Sequence, residues 1–248
     1  MLISSCQEQN PGSGRQVIDA SIERYLSALA VYQRNVRTAA VWADSSWMST
    51  AIGDVDVLGL SSLRAAASML DERRIAAVSH ALLDALDFEP PKLSALVGPQ
   101  WSSLDAMPVE VGARVLRMRA LIFRRMEVRR LIDRKSRVAL SEWAGMPIES
   151  LVREHSGAPD IALLARTLHV PPLHSLDAHA LSCEGLALLL RDLCVDRPPF
   201  ALLRLLFSRD IELPEWPRRV DRALDAQGSA RVMAELPEWV REWGWVFG

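Results

Sequence analysis

The residues with the greatest capacity for chemistry are histidines and a cysteine in the second half of the chain. His179 and Cys183 stand four positions apart, so a helix would place both side chains within reach of one metal ion. His155, His169 and His174 come earlier, but their proline-interrupted spacing lacks the paired short intervals of structural zinc sites. The pattern favours histidines that flank helices and pack partly inside. We expect no metal and no other cofactor, and a metal at the first pair is the open alternative.

Catalytic signatures are missing from the sequence. It contains no GxSxG motif, no phosphate-binding glycine pattern, no GxGxxG and no HExxH. Close carboxylates such as Asp84 and Asp87 are usually solvated when they lie on a helix. We therefore expect a protein that is not an enzyme.

The strongest charge feature is an arginine-rich segment, residues 114–137. It holds ten basic and two acidic residues, a local net charge of +8, in a chain whose formal net charge is −2. A nucleic-acid-binding helix would place these charges on one face, because phosphates approach from one side. At about 100° per residue the arginines instead fall in several sectors, with apolar side chains between them. Three interpretations stay open: a structural scaffold, a surface that binds an acidic protein, and a nucleic-acid site.

The segment that follows, residues 140–156, has the rhythm of a helix-turn-helix. Ser141 is small, Gly145 stands in the turn, and Leu151 takes the inward position of the second helix. The second helix carries Glu149 and Glu154, which suit neither phosphates nor base edges. A helix-turn-helix regulator that uses residues 114–137 together with this unit is the alternative function.

Tryptophan is concentrated at the C-terminus, where four of the eight lie in the last 33 residues. In LPEWVREWGWVFG, Pro237 is expected to open a helix that places Trp239 and Trp243 one turn apart. Buried aromatic side chains dominate many interfaces. The tail therefore either closes over the core of its own chain or docks onto a partner, and the same choice applies to Trp47.

The sequence predicts that all elements positioning these residues are helices. Three- and four-residue apolar spacings begin at Arg15, proline and glycine separate the later helices, and no period-two alternation indicates a strand. We predict an all-α protein: a single compact multi-helix domain of about eight to ten helices, with a long central helix from Pro108 to about Trp143. Residues 1–14 are expected to be a flexible lead-in and residues 15–248 the domain. The alternative is two subdomains that meet near residues 98–108.

Composition adds a prediction of location. Half of the residues are hydrophobic, yet the longest run without a charged residue is only the twelve residues Leu93–Leu104. A membrane-spanning helix needs about 20 apolar residues, so we expect no direct membrane insertion. Three cysteines form no disulfide framework, which favours the cytoplasm.

One stretch resembles a known family. VYQRNVRTAAVWADSSWMS is similar to the N-terminal signature of the K subunit of bacterial type III secretion systems, especially the Hrp-type branch. The matching residues are Tyr32, Asn35 and the run Ser46-Trp47-Met48. The central Leu/Arg helix and the proline- and tryptophan-marked C-terminal part also resemble that family, so the similarity spans most of the chain.

The resemblance implies a non-enzymatic cytoplasmic adaptor, peripheral to the inner-membrane secretion apparatus. In that family the K subunit belongs to the sorting platform and links the cytosolic domain of the inner-membrane ring protein to the pod-forming Q subunit. These two proteins are the expected partners, in a role in virulence-associated protein transport without nucleic acid. The expected partner-binding residues are Trp47, Arg124, Arg125, Arg129, Arg130, Trp239, Trp243 and Trp245.

Overall fold

The computed structural model of the chain describes residues 12–52, 65–66, 69–152, 159–225 and 227–248. These residues contain helices and no β-strand, which confirms the all-α prediction. The α-helices, in chain order, are α1 Gly12–Arg37, α2 Ala39–Trp42, α3 Ser45–Ile52, α4 Glu72–Ala85, α5 Val109–Phe123, α6 Arg125–Arg130, α7 Arg134–Ala144, α8 Ile148–Val152, α9 Ile161–Leu168, α10 Ala178–Leu193, α11 Trp216–Arg219 and α12 Gly228–Trp239. Short 3-10 helices are Leu93–Ala95, Trp101–Ala106, Leu173–Ser175, Leu203–Leu206 and Arg241–Val246.

The first helix begins at Gly12, three residues before the predicted start at Arg15. The predicted lead-in therefore overlaps α1, and its first eleven residues lie outside the described part of the chain. The helix ends at Arg37, and α2 follows after a break at Thr38. Near this end, the Asn35 side chain donates to the carbonyl of Met107 at 2.6 Å, which ties α1 to the start of the central helices.

Helices α5 and α10 form the centre of the fold and pack along each other. Most of α5 is buried, including its arginines Arg117 and Arg119. Gly185 of α10 lies directly against the backbone of Leu116, and a Cβ at this glycine would overlap the Leu116 carbonyl oxygen. The absence of a side chain at residue 185 thus allows the two backbones to meet.

The long central helix predicted from Pro108 to about Trp143 is three helices in the structure. The first break is Arg124, whose ψ of 12° turns the chain between α5 and α6. The second is at residues 131–133, where Leu131 is extended and Asp133 caps α7 by accepting from the amide of Ser136 at 2.7 Å. Asp caps are strong helix starts, so Asp133 begins a new helix where apolar spacing alone predicts continuation.

The C-terminal prediction also needs a correction. Pro237 lies inside α12, near its end, and does not open a new helix. Trp239 is the last residue of α12, whereas Trp243 belongs to the 3-10 helix that follows. A Cβ at Gly244 would lie 2.7 Å from the carbonyl oxygen of Pro237, so this close return of the chain requires glycine.

Buried apolar side chains form three clusters. The largest surrounds α5 and includes side chains of α7, α8, α10 and α12. The second joins α1, α2 and α4 to Leu202 and Leu205, and the third packs Phe123 against Trp216. Trp245 contacts both of the first two clusters and so joins the C-terminal tail to the cluster around α1, α2 and α4.

Candidate interaction surfaces

His179 and Cys183, the two residues with metal-ligand spacing, lie on one face of α10. The sulfur of Cys183 lies 3.5 Å from Nε2 of His179. Burial raises the pKa of the Cys183 thiol to about 11, which disfavours the thiolate that a metal would need. In the described part of the chain, no three His, Cys, Asp or Glu side chains are grouped closely enough to hold an ion. His155 lies outside that part.

The first half of the arginine-rich segment points into the protein. Arg124 is fully buried, and its guanidinium donates to both carboxylate oxygens of Glu184, from Nε at 2.6 Å and from Nη2 at 2.8 Å. Its Nη1 donates to Glu127 at 2.8 Å. Burial alone would lower the pKa of Arg124, but the two carboxylates outweigh it and raise that pKa. The bidentate pair thus ties the junction of α5 and α6 to α10 inside the protein.

A second buried network lies one turn away. Nη2 of Arg119 donates to Asp192 at 2.7 Å, and its Nη1 lies 2.9 Å from a carboxylate oxygen of Asp225. Arg125 is buried beside the same Asp225, with 3.6 Å between the charged atoms. Burial would raise the pKa of Asp192, but Arg119 and Ser229 hold it below the usual range.

Arg124 and Arg125 are therefore internal, which corrects their expected placement on a partner-binding surface. Both side chains are almost fully buried, and a partner could reach them only if the helices separated. The physical reason is that three carboxylates distant in sequence, Glu184, Asp192 and Asp225, lie beside this half of the segment. A buried guanidinium is tolerated only when paired in this way.

The second half of the segment faces outward. We call residues 129–135, the connection from α6 to α7, the basic corner. Arg129 is exposed and its guanidinium donates to the carbonyl of Val152 at 3.0 Å. Arg130, Arg134 and Lys135 are exposed as well. The expected partner residues Arg129 and Arg130 thus lie on the surface of this chain.

A helix-turn-helix geometry is present after the basic corner. Gly145 ends α7 in the left-handed conformation, the Ser141 hydroxyl accepts from the amide of Ile148 at 3.1 Å, and Leu151 is buried. Residues 153–156, the rest of the expected unit, lie outside the described residues. The regulator alternative also needs arginines of residues 114–125, and four of these are buried and paired with carboxylates. They offer no face to phosphates.

Trp47 is half-buried and used within the chain. Its indole N–H donates to the carbonyl of Phe207 at 2.7 Å, and the Arg204 guanidinium lies 5.1 Å from its ring centroid. The neighbouring Ser46 hydroxyl accepts from the amide of Arg209 at 2.8 Å. The Ser-Trp pair of the N-terminal signature thus fastens α3 to residues 204–209.

Trp239, Trp243 and Trp245, which we call the tryptophan rim, are also half-buried. All three pack against the largest apolar cluster, and the rings of Trp243 and Trp245 lie 6.1 Å apart at 43°. A crevice of about 380 Å³ separates Trp239 and Trp243 from the turn that contains Gly145. The rim therefore closes on the core of its own chain and keeps an accessible edge.

Sequence reasoning missed Asp105. Its buried carboxylate accepts from the amides of Ala201, Leu202 and Leu203 at 2.9, 3.2 and 2.7 Å, and so starts the 3-10 helix Leu203–Leu206. Burial raises the pKa of Asp105 to about 6 against the lowering effect of these hydrogen bonds. The available signal was its position directly after the longest uncharged run of the chain.

The described part of the chain also contains no helix with the length and apolarity that a bilayer crossing needs. No curated protein and no solved structure shows a significant match to the sequence. One family model does match, described as bacterial type III secretion protein (HrpB4), and it covers residues 19–242. Because that match spans most of the chain, the protein belongs to this family of bacterial type III secretion proteins.

Proposed function

We propose that this protein is the K-subunit adaptor of a type III secretion sorting platform, non-enzymatic and cytoplasmic at the inner membrane. It links the cytosolic domain of the inner-membrane ring protein to the pod-forming Q subunit. The observation that carries the proposal is the family match over residues 19–242. The residues of the N-terminal K-subunit signature support the finer assignment.

The surfaces of the chain suit such a role. The tryptophan rim offers a half-exposed aromatic edge beside a crevice, and the basic corner offers exposed guanidinium groups. Aromatic and arginine side chains are the residue types most enriched among energetically dominant interface positions. An adaptor with two partners needs two separate surfaces, and these lie on different elements, the C-terminal tail and the α6–α7 connection.

The test is a co-expression pull-down with the full chain as bait. The probes are the Q subunit and the cytosolic domain of the inner-membrane ring protein from the same genome, and the assay is run in parallel without and with nuclease. Retention of both proteins is the expected result. Loss of both overturns the adaptor assignment, and co-purified nucleic acid that nuclease removes would favour the helix-turn-helix alternative.

Trp243→Ala examines the tryptophan rim within the same assay. We expect it to weaken capture of one partner about tenfold or more while helicity by circular dichroism is unchanged, because the ring is half-exposed at the crevice. Leu163→Ala, which shortens an exposed apolar side chain on α9, is the control and should bind normally. Equal capture by the Trp243 variant would assign the rim to the core alone.

Truncation after Pro237 does not serve this purpose. It would remove Val246 and Phe247, both buried in the largest apolar cluster. It would also delete the hydrogen bond from the Gly98 amide to the Val246 carbonyl at 2.8 Å. We expect the truncated chain to lose its fold, so the point substitution is the informative variant.

A further inference from the structure

The tip of the basic corner exposes an aliphatic side chain. Ile132 is 95 % exposed, more than any other large hydrophobic side chain in the described residues. It stands between Leu131, which ends α6 in an extended conformation, and Asp133, which starts α7. The turn is anchored on both sides, because Val128 is buried and the Asp133 carboxylate caps the following helix. Ile132 thus lies exposed between a buried side chain of α6 and the cap of α7.

Positive charge surrounds this tip. Residues 129–137 contain five basic side chains and one carboxylate, a net charge of +4, so the rest of the chain carries −6. The single carboxylate, Asp133, is occupied by the amides of Lys135 and Ser136 and by the Ser136 hydroxyl. Nearby, the carboxylate of Glu149 pairs with Arg137. Arg130, Arg134 and Lys135 are exposed and lie within three positions of Ile132 in the chain, so the local charge next to this tip is positive.

Two crevices with apolar walls flank the corner. One, of about 300 Å³, is lined by Val128, Ile148 and Val152, with Arg129, Arg137 and Glu149 at its edge. The other, of about 230 Å³, lies beside Arg130 and is walled by side chains of α6, α9 and the loop after α9, with Glu127 and Asp160 also among its lining residues. An exposed apolar tip with neighbouring recesses and a charged border has the composition of an interface centre with a polar rim.

We propose that the basic corner is a docking site for an acidic protein surface, with Ile132 inserted into an apolar hollow of that partner. The inference rests on the proposed adaptor function and assigns this surface to one of its two partners. The positive charge of the corner favours a partner with an acidic surface. The exposed aliphatic tip favours a protein over nucleic acid, because phosphate groups form no favourable contact with an isoleucine side chain. One isoleucine is also far less than the apolar face that holds a protein on a lipid surface.

Two variants test the site in the pull-down described above, followed by titration of each purified partner. Ile132→Asp removes the apolar tip, and the double variant Arg134→Glu/Lys135→Glu reverses two charges. Both reversed residues lie in the first turn of α7, where acidic side chains favour the helix, so the fold is expected to persist. We expect each variant to weaken binding of the same single partner at least about tenfold and to leave the other partner bound.

The chain supplies closely matched controls at the start of α4. Met69 is 87 % exposed, and Met69→Asp repeats the apolar-to-acidic change. Arg73→Glu/Arg74→Glu reverses the same number of charges in a first turn that is likewise capped by an aspartate, Asp71. Both controls should bind as the unchanged chain does, so that net charge and solubility do not account for the effect.

The outcomes separate the two proposals. If the unchanged chain captures both partners and the corner variants do as well, the docking site is wrong and the adaptor function stands. If the unchanged chain captures neither, both proposals fail together. Vesicles with anionic phosphatidylglycerol and a short DNA duplex serve as further probes, and selective loss of binding to either in the corner variants would overturn the assignment to a protein surface.

Salt adds a last criterion. Exposed charge pairs are screened over about 10 Å at 0.1 M salt and about 3 Å at 1 M. We expect affinity of the unchanged chain for the corner's partner to fall as salt rises, and the charge-reversed variant to lose most of that dependence. An unchanged salt dependence in this variant would contradict the proposal.

Discussion

The two halves of the arginine-rich segment each carry five basic side chains and lie in opposite environments. In residues 114–125, four of the five arginines are buried and each has a carboxylate within ion-pair distance. In residues 129–137, the basic side chains of the corner are exposed, and so is Ile132 between them in the sequence. The first half holds helices together inside the protein, whereas the second half presents charge to the outside.

The comparison shows that a run of arginines in the sequence does not indicate whether their side chains will be buried or exposed. A guanidinium enters a protein interior when a partner carboxylate is supplied there, because desolvation of an unpaired charge costs several kcal/mol. For the first half, α10 supplies Glu184 and Asp192 and the segment before α12 supplies Asp225. In the second half, Arg137 pairs with the exposed Glu149 at the surface of the protein.

The largest effect is expected from Arg124→Ala. This change leaves Glu184 buried without its guanidinium, and we expect the free energy of unfolding to fall by about 3–5 kcal/mol. Urea denaturation followed by circular dichroism measures it. Arg134→Ala, at the exposed corner, is the matched control and should change stability by less than about 0.5 kcal/mol. Similar losses in the two variants would remove the distinction between the halves.

A double variant sharpens the interpretation of that loss. Arg124→Met combined with Glu184→Met removes both charges and keeps apolar volume, so we expect it to recover most of the stability lost by Arg124→Ala. Recovery would show that the loss of stability in Arg124→Ala arises from the buried Glu184 carboxylate that is left without its guanidinium partner. A double variant as unstable as the single one would point instead to the third partner, Glu127, whose carboxylate also accepts a hydrogen bond from the Leu173 amide at 2.7 Å.

A smaller effect is expected at Asp105, a buried charge held by backbone amides without a guanidinium partner. Its pKa is raised from 3.8 to about 6, so the folded state binds the proton more tightly than the unfolded state does. The stability that this carboxyl contributes is therefore full below about pH 4 and is lost as pH rises through 6. Relative to Asp105→Asn, the free energy of unfolding should decline by on the order of 2–3 kcal/mol between pH 4 and pH 7.

The pH series also has a clear contrary result. If the unchanged chain and Asp105→Asn lose or gain stability in parallel across this range, the titration of Asp105 does not differ between folded and unfolded states. In that case the three amides of residues 201–203 would hold the carboxylate in its charged form. Urea denaturation at four pH values distinguishes these outcomes.

The smallest effect is expected from Arg130→Ala. Its side chain is exposed at the end of α6, and exposed charges contribute about 0–1 kcal/mol. We expect stability within about 0.5 kcal/mol of the unchanged chain, together with weaker partner capture at low salt. A loss of stability close to that of Arg124→Ala would place Arg130 with the buried half.

Much of the fold was accessible from sequence. Three- and four-residue apolar spacings and the lack of period-two alternation predicted the all-α class, and Gly145 lies in the turn after α7 as expected. The breaks at Arg124 and Asp133 were not predicted, because apolar residues continue on both sides of them and the arginine break depends on a distant glutamate. The prediction that Pro237 opens a helix was wrong, because Pro237 lies near the end of α12 and the sequence alone did not distinguish that position from a helix start.

For the candidate surfaces, the sequence indicated which residues could bind a partner, and the structure showed which of them are exposed and which are buried. The tryptophan rim and two residues of the basic corner, Arg129 and Arg130, were among the expected partner residues, whereas Arg124 and Arg125 are internal. The exposure of Ile132 was not foreseen, because an isoleucine within a helical pattern is ordinarily assigned to the core. No local sequence feature distinguishes the buried arginines from the exposed ones, or the exposed Ile132 from a core isoleucine.

The sequence by itself determined the all-α class, the approximate helices and the family, since periodicity, helix-stop residues and a signature spread along the chain are local or cumulative properties. Tertiary structure alone decided which arginines are buried and which are exposed. The physical reason is that Arg124 meets Glu184 across sixty positions of sequence, and burial of a charge depends on that meeting. The first half of the segment has such partners within the fold, and the second half leaves its charges at the surface.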